Sequence, residues 1–237
     1  MRIIYIDTFK GGVGKTTTAR FLSQSLANLD PSVVASGLSQ QNDLFGSLPG
    51  KVNGLREYLT KGFPITTLPV ANGLSYIPGG TDYVDTTDHH SHDLSHFIDA
   101  VSKMGVKWLV IDGIHFMQPI AMRIMELADY HIIPMTCEPE AVKAGLTVLG
   151  SAKGRSLLLL TMVPSPSRCS ATQRDILTLL PQAYDPFLAK TRIRMSIQRS
   201  SSSDDDLPVR GHLSSPRLIE DYTALAQEIL EMEKNNA

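Results

Sequence analysis

The chain has 237 residues, of which 42% are hydrophobic and 19% charged, with a formal net charge of −2. That is enough apolar material for a sizeable core, and it excludes a globally basic nucleic-acid binder while leaving room for a local basic patch. No run of about eighteen uncharged apolar residues occurs, so no membrane-spanning helix is expected, and the two unclustered cysteines, Cys137 and Cys169, argue against a disulfide framework and suit a reducing cytoplasm.

Along the chain, Arg2–Ile6 reads as a first strand, its apolar stretch too short for a signal peptide. A Gly-rich turn and a helix over Lys15–Asn28 follow. Next come a strand at Ser32–Ser36, a helix at Leu55–Leu59, a strand at Leu74–Ile77 and a helix at Leu94–Lys103. The strands Trp108–Ile111, His131–Pro134 and Leu157–Met162 alternate with helices at Pro119–Leu127, Glu140–Gly150 and Thr172–Leu180, and a last helix spans Ser215–Glu233. Trp108–Ile111 and Leu157–Leu160 are apolar at every position, as strands covered by helices on both faces should be. The alternation predicts a doubly wound α/β fold: a mainly parallel sheet flanked by helices, with the site at the C-terminal ends of the strands. No internal repeat or long linker occurs, so residues 1–237 are expected to form one domain. Two polar segments interrupt the pattern, the His-rich Asp82–His96 and the Ser/Asp run Ser200–Asp206, which is expected to be an exposed, mobile loop.

Chemistry concentrates in the turn after the first strand, Lys10-Gly11-Gly12-Val13-Gly14-Lys15-Thr16-Thr17. Strand, Gly-rich turn and helix together are the context that makes a phosphate-binding loop. Glycines let the backbone wrap a phosphate closely, and the exposed N–H groups at the helix N-terminus supply positive potential. Lys15 is expected to neutralise the β- and γ-phosphates of ATP, and the Thr16 hydroxyl to ligate Mg²⁺. The general pattern wants Gly at position 9, where this chain has Phe9, and a second lysine, Lys10, precedes the double glycine. Trp108–Asp112 is an apolar strand ending in a carboxylate, and that places Asp112 where an acid can hold the Mg²⁺ shell.

The run Lys10-Gly-Gly-x-Gly-Lys-Thr resembles the deviant Walker A motif of the ParA/MinD family of P-loop ATPases. The resemblance continues through Leu74–Gly80, Ala128-Asp129 with Pro134, and Leu159-Leu160-Thr161-Met162, the last similar to a strand end near the base pocket. It implies a small, single-domain partition ATPase that dimerises on Mg·ATP, with Lys10 reaching across the interface to the partner's nucleotide. It also implies non-specific DNA binding and a centromere-binding or cargo adaptor protein, in the cytoplasm and on the nucleoid, with plasmid, chromosome or another assembly as cargo. The alternative is an ATP-gated protein-binding switch that hydrolyses poorly and does not act through DNA. Departures from the family motivate it. Many partition ATPases carry two aspartates after the second strand, at the positions held here by Ser36 and Leu38, which leaves Asp43 or Asp7 as the nearest acids. Gly113-Ile114-His115 likewise stands where the family has prolines.

Within the family, MinD-like members attach to membranes through a basic amphipathic C-terminal helix. The helix here has an acidic polar face, so it reads as packed on the sheet, with no membrane partner expected. The iron protein of nitrogenase shares the loop, but Cys137 and Cys169 do not fall at its cluster ligands and read as small buried hydrophobes. Lys190-Thr-Arg192-Ile-Arg194-Met-Ser-Ile-Gln-Arg199 carries four positive charges and no acid. It is similar to a family segment near the DNA surface, which makes Lys190, Arg192, Arg194 and Arg199 the DNA candidates, although such a run also suits a solvated face. The histidines His89, His90, His92 and His96 read as the solvated start of a helix rather than a metal site.

Overall fold

The computed structural model describes residues 1–38, 43–45, 53–71, 73–79, 91–113, 119–152, 155–196 and 216–235. Its strands are β1 (Arg2–Ile6), β2 (Val33–Gly37), β3 (Leu68–Ala71), β4 (Leu74–Ile77), β5 (Trp108–Asp112), β6 (Tyr130–Met135) and β7 (Arg155–Leu160). They form one seven-stranded sheet in the order β3-β4-β2-β5-β1-β6-β7. All neighbours pair in parallel except β3, which runs antiparallel to β4 at the edge. β3 escapes a sequence reading because it is four residues long, half-exposed and carries Pro69, with a register shift after it. A proline with no N–H to donate is tolerated at such an edge.

Helices α1 (Lys15–Leu29) and α7 (Pro216–Lys234) cover one face of the sheet. The other is covered by α2 (Leu55–Lys61), α3 (Ser91–Lys103), α4 (Pro119–Leu127), α5 (Pro139–Ser151) and α6 (Ala171–Tyr184). The period of two in β1 shows how this follows from sequence: Ile3 and Tyr5 enter one apolar layer, Ile4 and Ile6 the other. The expected doubly wound α/β fold is therefore observed, with β1 in the interior of the sheet between β5 and β6.

The C-terminal helix is packed on the sheet as expected, through Leu218, Tyr222, Leu225, Ala226 and Ile229. Its far end is tied down by charge. Glu233 accepts from Arg2 Nε at 2.6 Å and from the Tyr130 hydroxyl at 2.6 Å, while Asp129 accepts from Arg2 and from the backbone N–H of Ile3. Among the described residues, no helix is long and apolar enough to cross a membrane.

One polar side chain lies deep between the strands. His131, on β6 beside Tyr5, is 1% exposed, and its ring stacks on the Tyr5 ring with centroids 5.3 Å apart. Neither ring nitrogen has a hydrogen-bond partner among the described residues, and burial pushes its pKa down to about 4. The unfolded chain therefore takes up the proton first, so stability is lost as pH falls from roughly 6.5 to about 4. Urea unfolding at pH 7 and pH 4 is expected to show the wild type losing about 3 kcal/mol more than His131→Leu over that interval; equal losses would contradict a neutral buried imidazole.

Candidate nucleotide site

The loop between β1 and α1 crosses the C-terminal edge of the sheet at its topological switch point. Gly12 and Gly14 take φ of +74° and +88°, a left-handed conformation that costs an L side chain roughly 1–2 kcal/mol. Two anchors hold this loop. The buried Val13 presents its carbonyl to the Thr161 hydroxyl at 2.8 Å, just beyond β7, and Thr161 N–H itself donates to Met135 O at 2.9 Å. On the helix side, Thr18 N–H donates to Gly14 O at 2.8 Å and the Thr18 and Tyr222 hydroxyls meet at 3.0 Å. Lys10 and Lys15 lie together, the Lys15 ammonium donating to the Lys10 carbonyl at 3.4 Å. The first turn of α1 has no acidic residue to oppose an anion. Lys10 to Thr17 are thus brought into one cradle, with Gly11, Gly12 and Thr17 exposed and Thr16 half-buried.

Asp112 ends β5, paired with Ile6 of β1 on one side and Gly37 of β2 on the other. The following residue has to be glycine. A Cβ on Gly113 would stand 2.6 Å from Ile6 O and 2.9 Å from Asp7 Cβ, closer than packed atoms allow. This contact draws Asp112 up to Asp7, a fully buried carboxylate on the other strand end. Asp7 accepts from Thr8 N–H at 2.7 Å and from the Tyr5 hydroxyl at 3.2 Å. Burial pushes its pKa up to about 7, and the charge of Asp112 adds to the rise, against the Thr8 hydrogen bond and the charge of Lys15. Two carboxylates and a lysine at one strand edge form a set that fits a divalent cation beside a phosphate.

The end of β2 explains what the missing acids mean. Ser36 and Leu38 flank the residue paired with Asp112, and Leu38 N–H donates to Asp112 O at 3.1 Å. Leu38 is instead buried in the core, and the buried Ser36 hydroxyl has no partner among the described residues. Asp43 starts a short 3₁₀ turn, but its side chain lies outside the described residues.

Beside the loop, a cavity of about 320 Å³ runs along α1, lined by Thr17, Arg20, Phe21, Met162, Arg194 and Tyr222 among others. Met162 takes φ of +51° and is partly exposed, its thioether leaning towards Gly14. The end of β7 thus opens onto this cavity. The Arg20–Phe21 wall was not read from sequence, because a helix interior offers no motif to mark it.

The basic segment lies nearby and is less open than its sequence suggests. Arg194 pairs with Asp221 at 2.7 Å and Glu220 at 3.0 Å, while its own N–H donates to Asp221 at 2.8 Å. Hydrogen bonding to Asp221 and Glu220 raises the Arg194 pKa further. Glu228 accepts the N–H groups of Lys190 and Thr191, leaving the exposed side chains of Lys190 and Arg192 outward. Arg199 and the Ser200–Asp206 run lie outside the described residues. So do His89 and His90; the side chain of His92 is not described, His96 is exposed, and no metal-binding cluster occurs among the described residues. Cys137 is buried as expected, but Cys169 is only half-buried, its thiol 3.7 Å from Pro164 O; it sits in a surface turn rather than in the core.

No protein-family model matches the chain. A ParA family protein of Chlamydia pneumoniae is 25% identical over 97% of this chain and 98% of its own length. The chromosome-partitioning ATPase Soj of Thermus thermophilus is 28% identical over 62% of this chain and 60% of Soj. Among solved structures, cobyrinic acid a,c-diamide synthase from Mycobacterium smegmatis, with bound ADP and magnesium, superposes with a TM-score of 0.78 at 17% identity, covering 100% of this chain and 97% of that one. A plasmid partition protein from Borrelia burgdorferi bound to AMPPNP gives 0.70 at 22% identity, covering 98% of each chain. At these identities the structural likeness carries the fold alone, a mostly parallel sheet flanked by helices. The resemblance to the ParA/MinD family read from the phosphate loop therefore extends across nearly the whole chain.

The buried Asp7 carboxyl has a consequence for stability. Its pKa is higher folded than unfolded, so the stability it lends is complete below roughly pH 4 and is lost as pH rises through about 7. Asp7→Asn, which keeps the Thr8 hydrogen bond, is expected to be more stable than the wild type at pH 8 by up to about 4 kcal/mol, with the difference vanishing near pH 4 in denaturant titrations.

Proposed function

We propose that this chain, acting as one domain over residues 1–237, is a ParA-like ATPase that dimerises on Mg·ATP. The observation that carries the reading is the loop itself: two lysines at its ends on a left-handed glycine frame, next to a buried acid pair at the switch point. Lys15 and the loop N–H groups hold the phosphates, Thr16 and Asp112 hold Mg²⁺, and Lys10 serves the nucleotide of the second copy. The ion neutralises charge on the phosphate oxygens when bound. Gly113 keeps Asp112 close to Asp7, and Thr161 keeps the loop rigid through Val13.

Hydrolysis is expected to be slow and stimulated by a partner. An attacking water needs a group to orient it, and Ser36 and Leu38 provide no carboxylate. In the dimer, Lys190 and Arg192 offer phosphate contacts for non-specific DNA, doubled by symmetry, with Arg199 as a further candidate; Arg194 serves mainly to hold its own segment to α7. A centromere-binding or cargo adaptor protein completes the cycle in a cytoplasmic, nucleoid-bound setting, moving a plasmid, chromosome or other cargo.

A second reading is favoured by the buried Leu38 and by the pairing of Arg194: an ATP-gated switch that scarcely hydrolyses and recruits a protein instead of DNA. Turnover measured with and without DNA separates the two. DNA-stimulated turnover with salt-sensitive, ATP-dependent DNA retention supports the first; ATP-dependent dimers without either support the second. Lys10→Ala is expected to keep monomer ATP affinity within about threefold while abolishing the ATP-dependent dimer in light scattering. A dimer that survives the substitution would contradict the trans role of Lys10.

A further inference from the structure

Arg20 stands on α1 three residues after Thr17 and four after Thr16, so its side chain follows theirs along one helix face. It is about 6 Å farther from the phosphate loop than Thr16, measured along the helix axis. There it lines the cavity that opens at Gly14, Thr16 and Thr17, with its guanidinium carbon 5.7 Å from the centre of the Phe21 ring. The Arg20 Nε is buried and has no hydrogen-bond partner, and no carboxylate pairs with Arg20, among the described residues. Burial also lowers its pKa.

The contrast with Arg194, which lines the same cavity, is informative. Arg194 is neutralised by Asp221 and Glu220; Arg20 has no such neighbour among the described residues. Leaving a buried donor unsatisfied costs roughly 1–3 kcal/mol, and native structures tolerate this where a ligand brings the acceptor. The walls beside it suit a flat ring. Phe21, Met162 and Ile193 present apolar and thioether surface, and about 320 Å³ lies within the range of small-molecule pockets.

We propose that Arg20 is a nucleoside-recognition residue: its guanidinium donates to ring nitrogens of the base whose triphosphate lies in the Lys10–Thr17 loop. This rests on the phosphate-loop reading and extends it along α1, from the part of the ligand that any nucleotide shares to the part that distinguishes nucleotides. The phosphates are held by backbone N–H groups and lysines at the helix start, while Arg20, one turn deeper, lies on the side where the nucleoside trails away from them.

Calorimetric binding of three probes to wild type and to Arg20→Ala tests it: Mg·ATP, Mg·2′-deoxy-ATP and Mg·tripolyphosphate. The expected result is about tenfold weaker binding of both nucleotides, the worth of one charge-assisted hydrogen bond, with tripolyphosphate unchanged within about twofold. Equal weakening of tripolyphosphate would make Arg20 a phosphate ligand and overturn the proposal. So would an unchanged ATP affinity, or a loss confined to ATP and absent for the 2′-deoxy form, which would assign the contact to the ribose. If the wild type binds none of the three, the phosphate-loop reading itself falls. Should Arg20→Ala melt early, Arg20→Gln, which is shorter but keeps an N–H donor at the level of the Arg Nε, is expected to show a smaller loss for the nucleotides and none for tripolyphosphate.

Discussion

The hydrogen bond from the Thr161 hydroxyl to the Val13 carbonyl, 2.8 Å long, ties the two halves of the site together. A phosphate loop is an irregular stretch of backbone whose N–H groups must stay unpaired to serve a ligand, so its carbonyls have to be secured elsewhere. Here the security comes from the far side of the sheet. Thr161 follows β7, its N–H is held by Met135 at the end of β6, and through Val13 it sets the loop at the end of β1. The left-handed glycines shape the loop; the Thr161 contact decides where that shape sits relative to Asp112.

The acid pair depends on the same edge. Gly113 allows the end of β5 to approach Ile6 O so closely that no side chain fits between them. The approach brings Asp7 and Asp112 together and leaves Asp7 with a carboxyl that burial holds near neutrality. A cation arriving at Asp112 would meet this second acid, which the end of β2 does not provide. Leu38 has joined the apolar layer beneath the site, so the charge lost from β2 and the buried charge on β1 occupy neighbouring positions around Asp112.

Helix α7 gives the other side of the site its form. Asp221 and Glu228, seven residues apart, lie on the helix face that carries Leu218 and Leu225 and grip the backbone of Lys190, Thr191 and Arg194. Tyr222 reaches Thr18 from the same face. The helix thus fixes the segment lining the cavity and the first turns of α1 at once. Its acids look like a solvated polar stripe in sequence, and those at 221 and 228 do positional work instead. Heptad spacing alongside the apolar residues was the available clue.

The order of strands and helices, the phosphate loop and the acid closing β5 were legible in the chain because each rests on local chemistry. Hydrophobic period, glycine conformation and a charge at a strand end are properties of a few consecutive residues. Element boundaries moved by one to several residues, and the edge strand β3 was missed, since a short, half-exposed, proline-bearing strand has almost no pattern of its own. The sequence alone determined the fold class, the lysines and glycines of the cradle, and the absence of aspartates at positions 36 and 38. Only the tertiary structure decided that Asp7 is buried against Asp112, that Arg194 is paired while Arg20, among the described residues, is not, and that Thr161 anchors Val13. Those facts depend on how far apart in sequence two groups lie and how deeply packing buries them. Solvation and pairing are set by neighbours that the chain brings together only when the sheet has formed.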